Sequence, residues 1–111
     1  MQSIHVFTIP KQHSCLVGHF PEHPIVPGVV LLEQIESTLS ELLPHWGISE
    51  LIQTKFIDVV LPDELMEIHL TSKPVEPNNV QQMNVSFKII KNSNQKKVAS
   101  GKFKLLKNQE P

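Results

Sequence analysis

The stretch GHFPEHPIVPGVVLLEQIE, residues 18–36, decides how the chain is read. Pro21, Pro24 and Pro27 recur at every third position, Gly28 follows the last of them, and the run passes directly into apolar residues interrupted by one carboxylate, Glu33. Each proline fixes its own φ and pushes the residue before it, here Phe20, His23 and Val26, out of helical geometry. The segment is therefore a stiff extended loop, and a helix can begin only after it, at Gly28. Stiffness lowers the entropy cost of holding His19 in one place, which a catalytic base needs and a surface histidine does not. The helix start beyond Pro27 offers unpaired N–H groups at the positive end of the helix dipole, where an oxygen gaining negative charge would be stabilised.

Downstream of Gly28, Leu32, Ile35, Leu39, Leu42, Leu43 and Trp46 fall at helical spacing, while Glu33, Glu36, Ser37, Ser40 and Glu41 form a polar stripe. The pattern predicts an amphipathic helix of roughly four to five turns. Val29, Val30 and Leu31 widen the apolar zone, so the first two turns are expected to be buried almost all round, and Pro44 with Gly47 supplies the stop.

The remainder reads as sheet. SIHVFTI, residues 3–9, is β-branched and aromatic, and Pro10 ends it. Met66, Ile68 and Leu70 alternate with polar neighbours, as do Met83, Val85, Phe87 and Ile89, and Ala99, Gly101, Phe103 and Leu105. Residues 51–61 are a fourth candidate strand after the helix, and LPDE, KPVEPNN and KNSNQK are turn-rich links that suit antiparallel neighbours. One long helix between an early strand and four antiparallel ones gives an α+β architecture, with the sheet curved around the helix. A single helix cannot cover such a sheet completely, so a dimer is the natural way to finish the burial.

At 111 residues the chain is expected to be one domain, 1–111, because two halves would each be too small for a useful core. Hydrophobic residues at 40%, charged residues at 19% and a formal net charge of −1 describe an ordinary globular chain and give no steering toward nucleic acid. No run approaches the roughly 18 apolar residues needed for membrane insertion. MQSIHVFTIP lacks the basic and apolar regions of a secretion signal, which predicts a cytoplasmic protein. The single cysteine, Cys15, excludes an internal disulfide, fits a reducing compartment and reads as a buried small hydrophobe.

The residues alone leave the chemistry open. Glu33 can belong to the solvated stripe, and His19 and His23 can be ordinary loop histidines. His13, Cys15, His19, Glu22 and His23 crowd the same segment as zinc ligands would, but the prolines forbid the helix that would turn His19 and His23 to one side, and no second ligand cluster follows. No metal site is assigned. His45 and His69 stand without a partner motif and read as structural or surface groups.

Gly18-His19-Phe20-Pro21-Glu22-His23-Pro24-Ile25-Val26-Pro27-Gly28-Val29-Val30-Leu31-Leu32-Glu33 resembles the central signature GHFPxxPhhPGVhhhE, h being apolar, of the hot-dog-fold 3-hydroxyacyl-[acyl-carrier-protein] dehydratases. The spacing from the histidine to the acid matches without a gap. Weaker similarity continues through TKFIDVVLPDELMEIHL, where a Lys-Phe pair precedes a Pro-Asp turn. The resemblance implies a hot-dog fold, one long central helix wrapped by a curved antiparallel sheet. It implies His19 as catalytic base and Glu33 as its acid partner, meeting across a dimer interface. Substrate contacts would come from Phe20, Pro27, Gly28 and Val29, with the Gly28 or Val29 amides on the thioester oxygen.

The implied reaction is dehydration of a 3-hydroxyacyl thioester on acyl carrier protein to the trans-2-enoyl thioester, in fatty acid or aryl polyene biosynthesis, with no metal or redox cofactor. The short length is similar to that of the thioester dehydratases of aryl polyene clusters. Glu22 stands where many members have glycine, and the absence of tyrosine leaves no tyrosine gate for an acyl tunnel. The same fold also accommodates a noncatalytic or half-site subunit of a heterodimer, and thioester hydrolysis.

Overall fold

The computed structural model describes residues 1–13, 25–78 and 80–108. Strand β1 (Gln2–Phe7) is followed by helix α1 (Gly28–Leu42) and strands β2 (Trp46–Phe56), β3 (Met66–Pro74), β4 (Gln82–Lys91) and β5 (Lys97–Lys107). The strands form one five-stranded sheet in the order β1-β3-β4-β5-β2, antiparallel at every pairing. β1 and β2, consecutive in sequence, therefore lie at opposite edges, and the chain between them carries α1 across one face of the sheet. This is the expected α+β arrangement of a helix against an antiparallel sheet.

Register explains the core. Pairing sets Ile68 opposite Ile89 and Leu70 opposite Phe87, then Val85 opposite Phe103 and Phe87 opposite Gly101. All of these turn to the inner face, where they pack with Val30, Leu31, Ile35 and Leu39 of the helix. The Phe87 and Phe103 rings lie with centroids 5.5 Å apart and tilted by 31°, an offset geometry that favours aromatic pairs. Among the described residues no polar or charged residue is buried as a whole. No helix of the described residues is long and apolar enough to cross a membrane.

Three expectations are corrected. α1 ends at Leu42, within the four to five turns expected, so Trp46, which falls at helical spacing, is not part of it. Pro44 already denies helical geometry to Leu43, whose φ is −129°. The Leu43 N–H closes the last turn on the Leu39 carbonyl at 2.8 Å, and Trp46 N–H bonds back to Leu43 at 3.0 Å, so Trp46 enters the next strand. That strand occupies 46–56, displaced from the expected 51–61. It carries irregularities between Ile48 and Glu50 and between Leu51 and Gln53, and such bulges break the period of two on which strand reading depends. Finally, the first two helical turns are not covered all round. Val30 and Leu31 are buried, but Val29 is 59% exposed, because the sheet covers only one side of the helix.

Two glycines are demanded by close approach. A Cβ on Gly101 would meet the Gln53 carbonyl oxygen and the Phe87 ring. A Cβ on Gly28 would lie 2.8–3.1 Å from three atoms of the Phe56 ring. The surroundings differ: Gly101 is locked between backbone and a buried ring, whereas Phe56 is 45% exposed at a sheet edge and can swing aside. Gly101→Ala is expected to lower the unfolding free energy by about 1–3 kcal/mol, as overpacked cores do. Gly28→Ala is expected to change it by less than about 1 kcal/mol. Urea denaturation of the two variants checks the contrast.

On the outer face, Glu67 is tied to the β4–β5 turn. Its two carboxylate oxygens pair with His69 Nε2 at 2.8 Å and accept hydrogen bonds from Asn92 Nδ2 at 2.9 Å and Gln95 Nε2 at 3.0 Å. The amide of Gln95, followed by His69 and Asn92, holds the Glu67 carboxyl below the ordinary carboxylate range. A depressed folded pKa means a stabilising contribution that is present above the unfolded pKa and lost as pH falls through the folded one. NMR titration is expected to place Glu67 below its value in the unfolded chain, and Gln95→Ala to raise it.

Candidate active site

The amino end of α1 is fixed by its flanks. Val26 is buried, and its N–H donates to the Val60 carbonyl at 2.8 Å. That pins the approach to the helix against the segment leaving β2, itself held where the Ile57 N–H donates to Val98 O at 2.7 Å. Pro27 is the N-cap, with φ −61° and ψ 147°, and its carbonyl accepts from Val30 N–H at 3.0 Å and Leu31 N–H at 3.4 Å. No side chain caps the helix. The amides of Gly28 and Val29 consequently have no acceptor among the described residues. Two such donors at a helix start form a ready place for a developing oxyanion.

The side chain that walls this helix start is Phe56, whose ring lies against Gly28. The sequence reading noted the Lys-Phe pair but gave Phe56 no part in the site. A glycine just past a proline, with an aromatic on the following strand, was the available signal, and only the fold shows that they meet.

Glu33 is exposed and opens into a cavity of about 200 Å³ lined by Thr8, Ile9, Pro10, His13, Val30 and Gln34. The wall from the end of β1 is anchored by Asp63, whose N–H donates to Ile9 O at 2.8 Å and whose Oδ1 accepts from Lys11 N–H at 3.3 Å. Asp63 holds a left-handed φ of 64° to do so, a conformation aspartate tolerates better than most residues. In the sequence His13 stands only among the residues that crowd one segment as zinc ligands would. Here it shares a cavity with Glu33.

Gly28 and Glu33 are five residues apart, which places them about 140° apart around the helix axis. Within one chain the Phe56-covered face of Gly28 and the Glu33 cavity therefore look in different directions. Pro27, Gly28, Val29 and Glu33 are described; His19 and Phe20 lie outside the described residues, as do Cys15, Glu22 and His23.

Comparison with known proteins bears on this geometry. The family model described as ApeI-like, ApeI dehydratase, matches residues 2–102. The chain is 36% identical over 72 residues to the 3-hydroxyacyl-[acyl-carrier-protein] dehydratase FabZ of Bartonella bacilliformis, a match covering 57% of this chain and 46% of that protein. It thus spans about half the length of the curated relatives it matches. Among solved structures, the dehydratase heterocomplex ApeI:P from Xenorhabdus doucetiae superposes with a TM-score of 0.71 at 19% identity, covering 96% of this chain and 88% of that one. The (R)-hydratase from A. caviae involved in PHA biosynthesis gives 0.79 at 12% identity, covering 98% and 95%. These structures share the hot-dog fold. With the family model spanning nearly the whole sequence, the chain belongs to the ApeI-like dehydratase family.

Proposed function

We propose that the chain removes water from a 3-hydroxyacyl thioester carried on acyl carrier protein, giving the trans-2-enoyl thioester in fatty acid or aryl polyene biosynthesis. The observation that carries this reading is the pair of amides at Gly28 and Val29, which have no acceptor among the described residues and lie inside the family match. Removing the α-proton beside a thioester drives charge onto the carbonyl oxygen, and donors already in place stabilise that charge without reorganising. His19 takes the α-proton. The Cβ–O bond then breaks, and the proton returns to the departing hydroxyl oriented by Glu33, so that one water leaves and the thioester stays intact. Phe20 and Pro27 contribute to the acyl wall.

Two copies are required on this reading. Glu33 opens into its own cavity about 140° around the helix from the Phe56-covered face of Gly28, which supports a site that takes its carboxylate from one protomer and His19 from the other. β2 is a sheet edge, and Ile48, Leu51, Ile52 and Phe56 on it are exposed large apolar residues. An uncovered apolar edge of this kind invites a second hot-dog subunit. The ApeI:P structure, a heterocomplex of related fold, favours as second reading a subunit that works within a heteromer.

Incubating the protein with a carrier-bound 3-hydroxyacyl thioester is expected to yield a product lighter by one water in intact mass spectra. His19→Ala and Glu33→Ala are each expected to reduce turnover by roughly 10²–10⁴-fold with unchanged circular dichroism. Free acid in place of enoyl thioester, or full activity in either variant, contradicts the proposal.

A further inference from the structure

The cavity at Glu33 holds a second ionisable side chain that the proposed reaction leaves unused. Val30, Glu33 and Gln34 stand three and four residues apart and so share one face of α1. The other wall of the cavity is the segment after β1, with Thr8, Ile9, Pro10 and His13. Of the described residues that line it, only Glu33 and His13 can carry charge. Glu33 makes no hydrogen bond or ion pair among the described residues, so nothing on its own helix fixes the direction of its carboxylate.

His13 is held through its backbone. The ring of Pro10 fixes φ there, and the His13 N–H donates to the Pro10 carbonyl at 2.9 Å, closing a turn. Ile9, immediately before the turn, is buried and accepts from the Asp63 N–H at 2.8 Å, while the Lys11 N–H donates to Asp63 Oδ1 at 3.3 Å. The turn is thereby tied to the segment between β2 and β3. A half-buried imidazole on so fixed a turn gives up little entropy when it engages a partner. The other charged groups nearby serve elsewhere. Lys11 and Asp63 anchor the turn without lining the cavity, and Glu36, further along α1, lines a different cavity with Leu39, Ser40 and Trp46.

We infer that His13 is a positioning residue of the reaction proposed above, its imidazole donating to one Glu33 oxygen so that the other is aimed at the hydroxyl leaving the substrate. A carboxylate accepts through two oxygens, and a donor fixed on one of them sets the plane of both. Hydrogen bonds to an ionised acceptor are the short, strong ones, and an imidazole has an N–H to give in either tautomer. Gln34 and Thr8 bring no charge to the cavity. His13 lies six residues before His19 in the sequence, yet the cavity puts it with Glu33. On the two-copy reading it therefore serves the carboxylate half of the site and not the half that supplies His19.

The test is a variant series on a carrier-bound 3-hydroxyacyl thioester. His13→Phe keeps a ring and removes the donor; it is expected to lower kcat by about tenfold or more with KM within twofold. His13→Gln restores a donor and is expected to recover most of that loss. In a Glu33→Ala background the same His13→Phe change is expected to cost less than twofold, because a residue that acts through Glu33 has nothing left to position. Lys11→Gln, on the same turn but outside the cavity, is expected to leave kcat and KM within twofold. Equal kcat in native protein and His13→Phe overturns the inference, as does an undiminished cost of His13→Phe in the Glu33→Ala background, or a His13→Gln variant no better than His13→Phe. If the native protein dehydrates no such substrate, the proposed reaction is what fails. The pairing is then read without any change at His13, by ring-nitrogen NMR of labelled histidines: Glu33→Ala is expected to move the His13 signals, and unmoved signals overturn it. The same spectra decide the matter if His13→Phe does not fold.

Discussion

The structure depends on how the chain is brought to the start of α1. β1 and β2 occupy opposite edges of the sheet, so everything between them must cross a face, and the crossing succeeds only if the helix begins at one place and lies on one side. Pro27 forbids an earlier beginning. The Val26–Val60 hydrogen bond ties that beginning to the segment leaving β2, and the Phe56 ring closes over Gly28, which a side chain at position 28 would obstruct. Among the described residues the Gly28 and Val29 amides are left without acceptors. Fold and proposed chemistry thus draw on one feature, a helix start held rigidly and left uncapped.

Much of this is legible in the residues. The period of two in β3, β4 and β5 survives because each has one face on the core and one in solvent, and Met66, Ile68, Leu70, Val85, Phe87, Ile89, Phe103 and Leu105 are buried as their alternation requires. β2 was displaced because its irregularities destroy the alternation and because an edge strand is exposed on both faces in a single chain. Trp46 fell at helical spacing yet begins a strand, since Pro44 acts before the apolar pattern can. Val29 was expected inside because a run of apolar residues carries no direction; only the position of the sheet shows which of them face it.

The site was legible in a different way. Spacing alone could not separate Glu33 from a solvated stripe, and Glu33 is indeed exposed in the single chain. What the fold adds is that Glu33 opens into a cavity away from the Phe56-covered face of Gly28, which gives an exposed carboxylate a use once a second subunit is present. Phe56 and His13 have no visible link to the site in the sequence, because their places beside Gly28 and in the Glu33 cavity come from contacts between segments far apart in the chain.

The central claim, that one site is assembled from two copies of the chain, is tested most directly by complementation. His19→Ala and Glu33→Ala proteins, each inactive, are mixed under conditions that let dimers reassort. Half of the reassorted dimers are mixed and each mixed dimer holds one intact site, so activity is expected to recover to about a quarter of the native value. A mixture that stays inactive although native mass spectrometry shows mixed dimers would contradict the account.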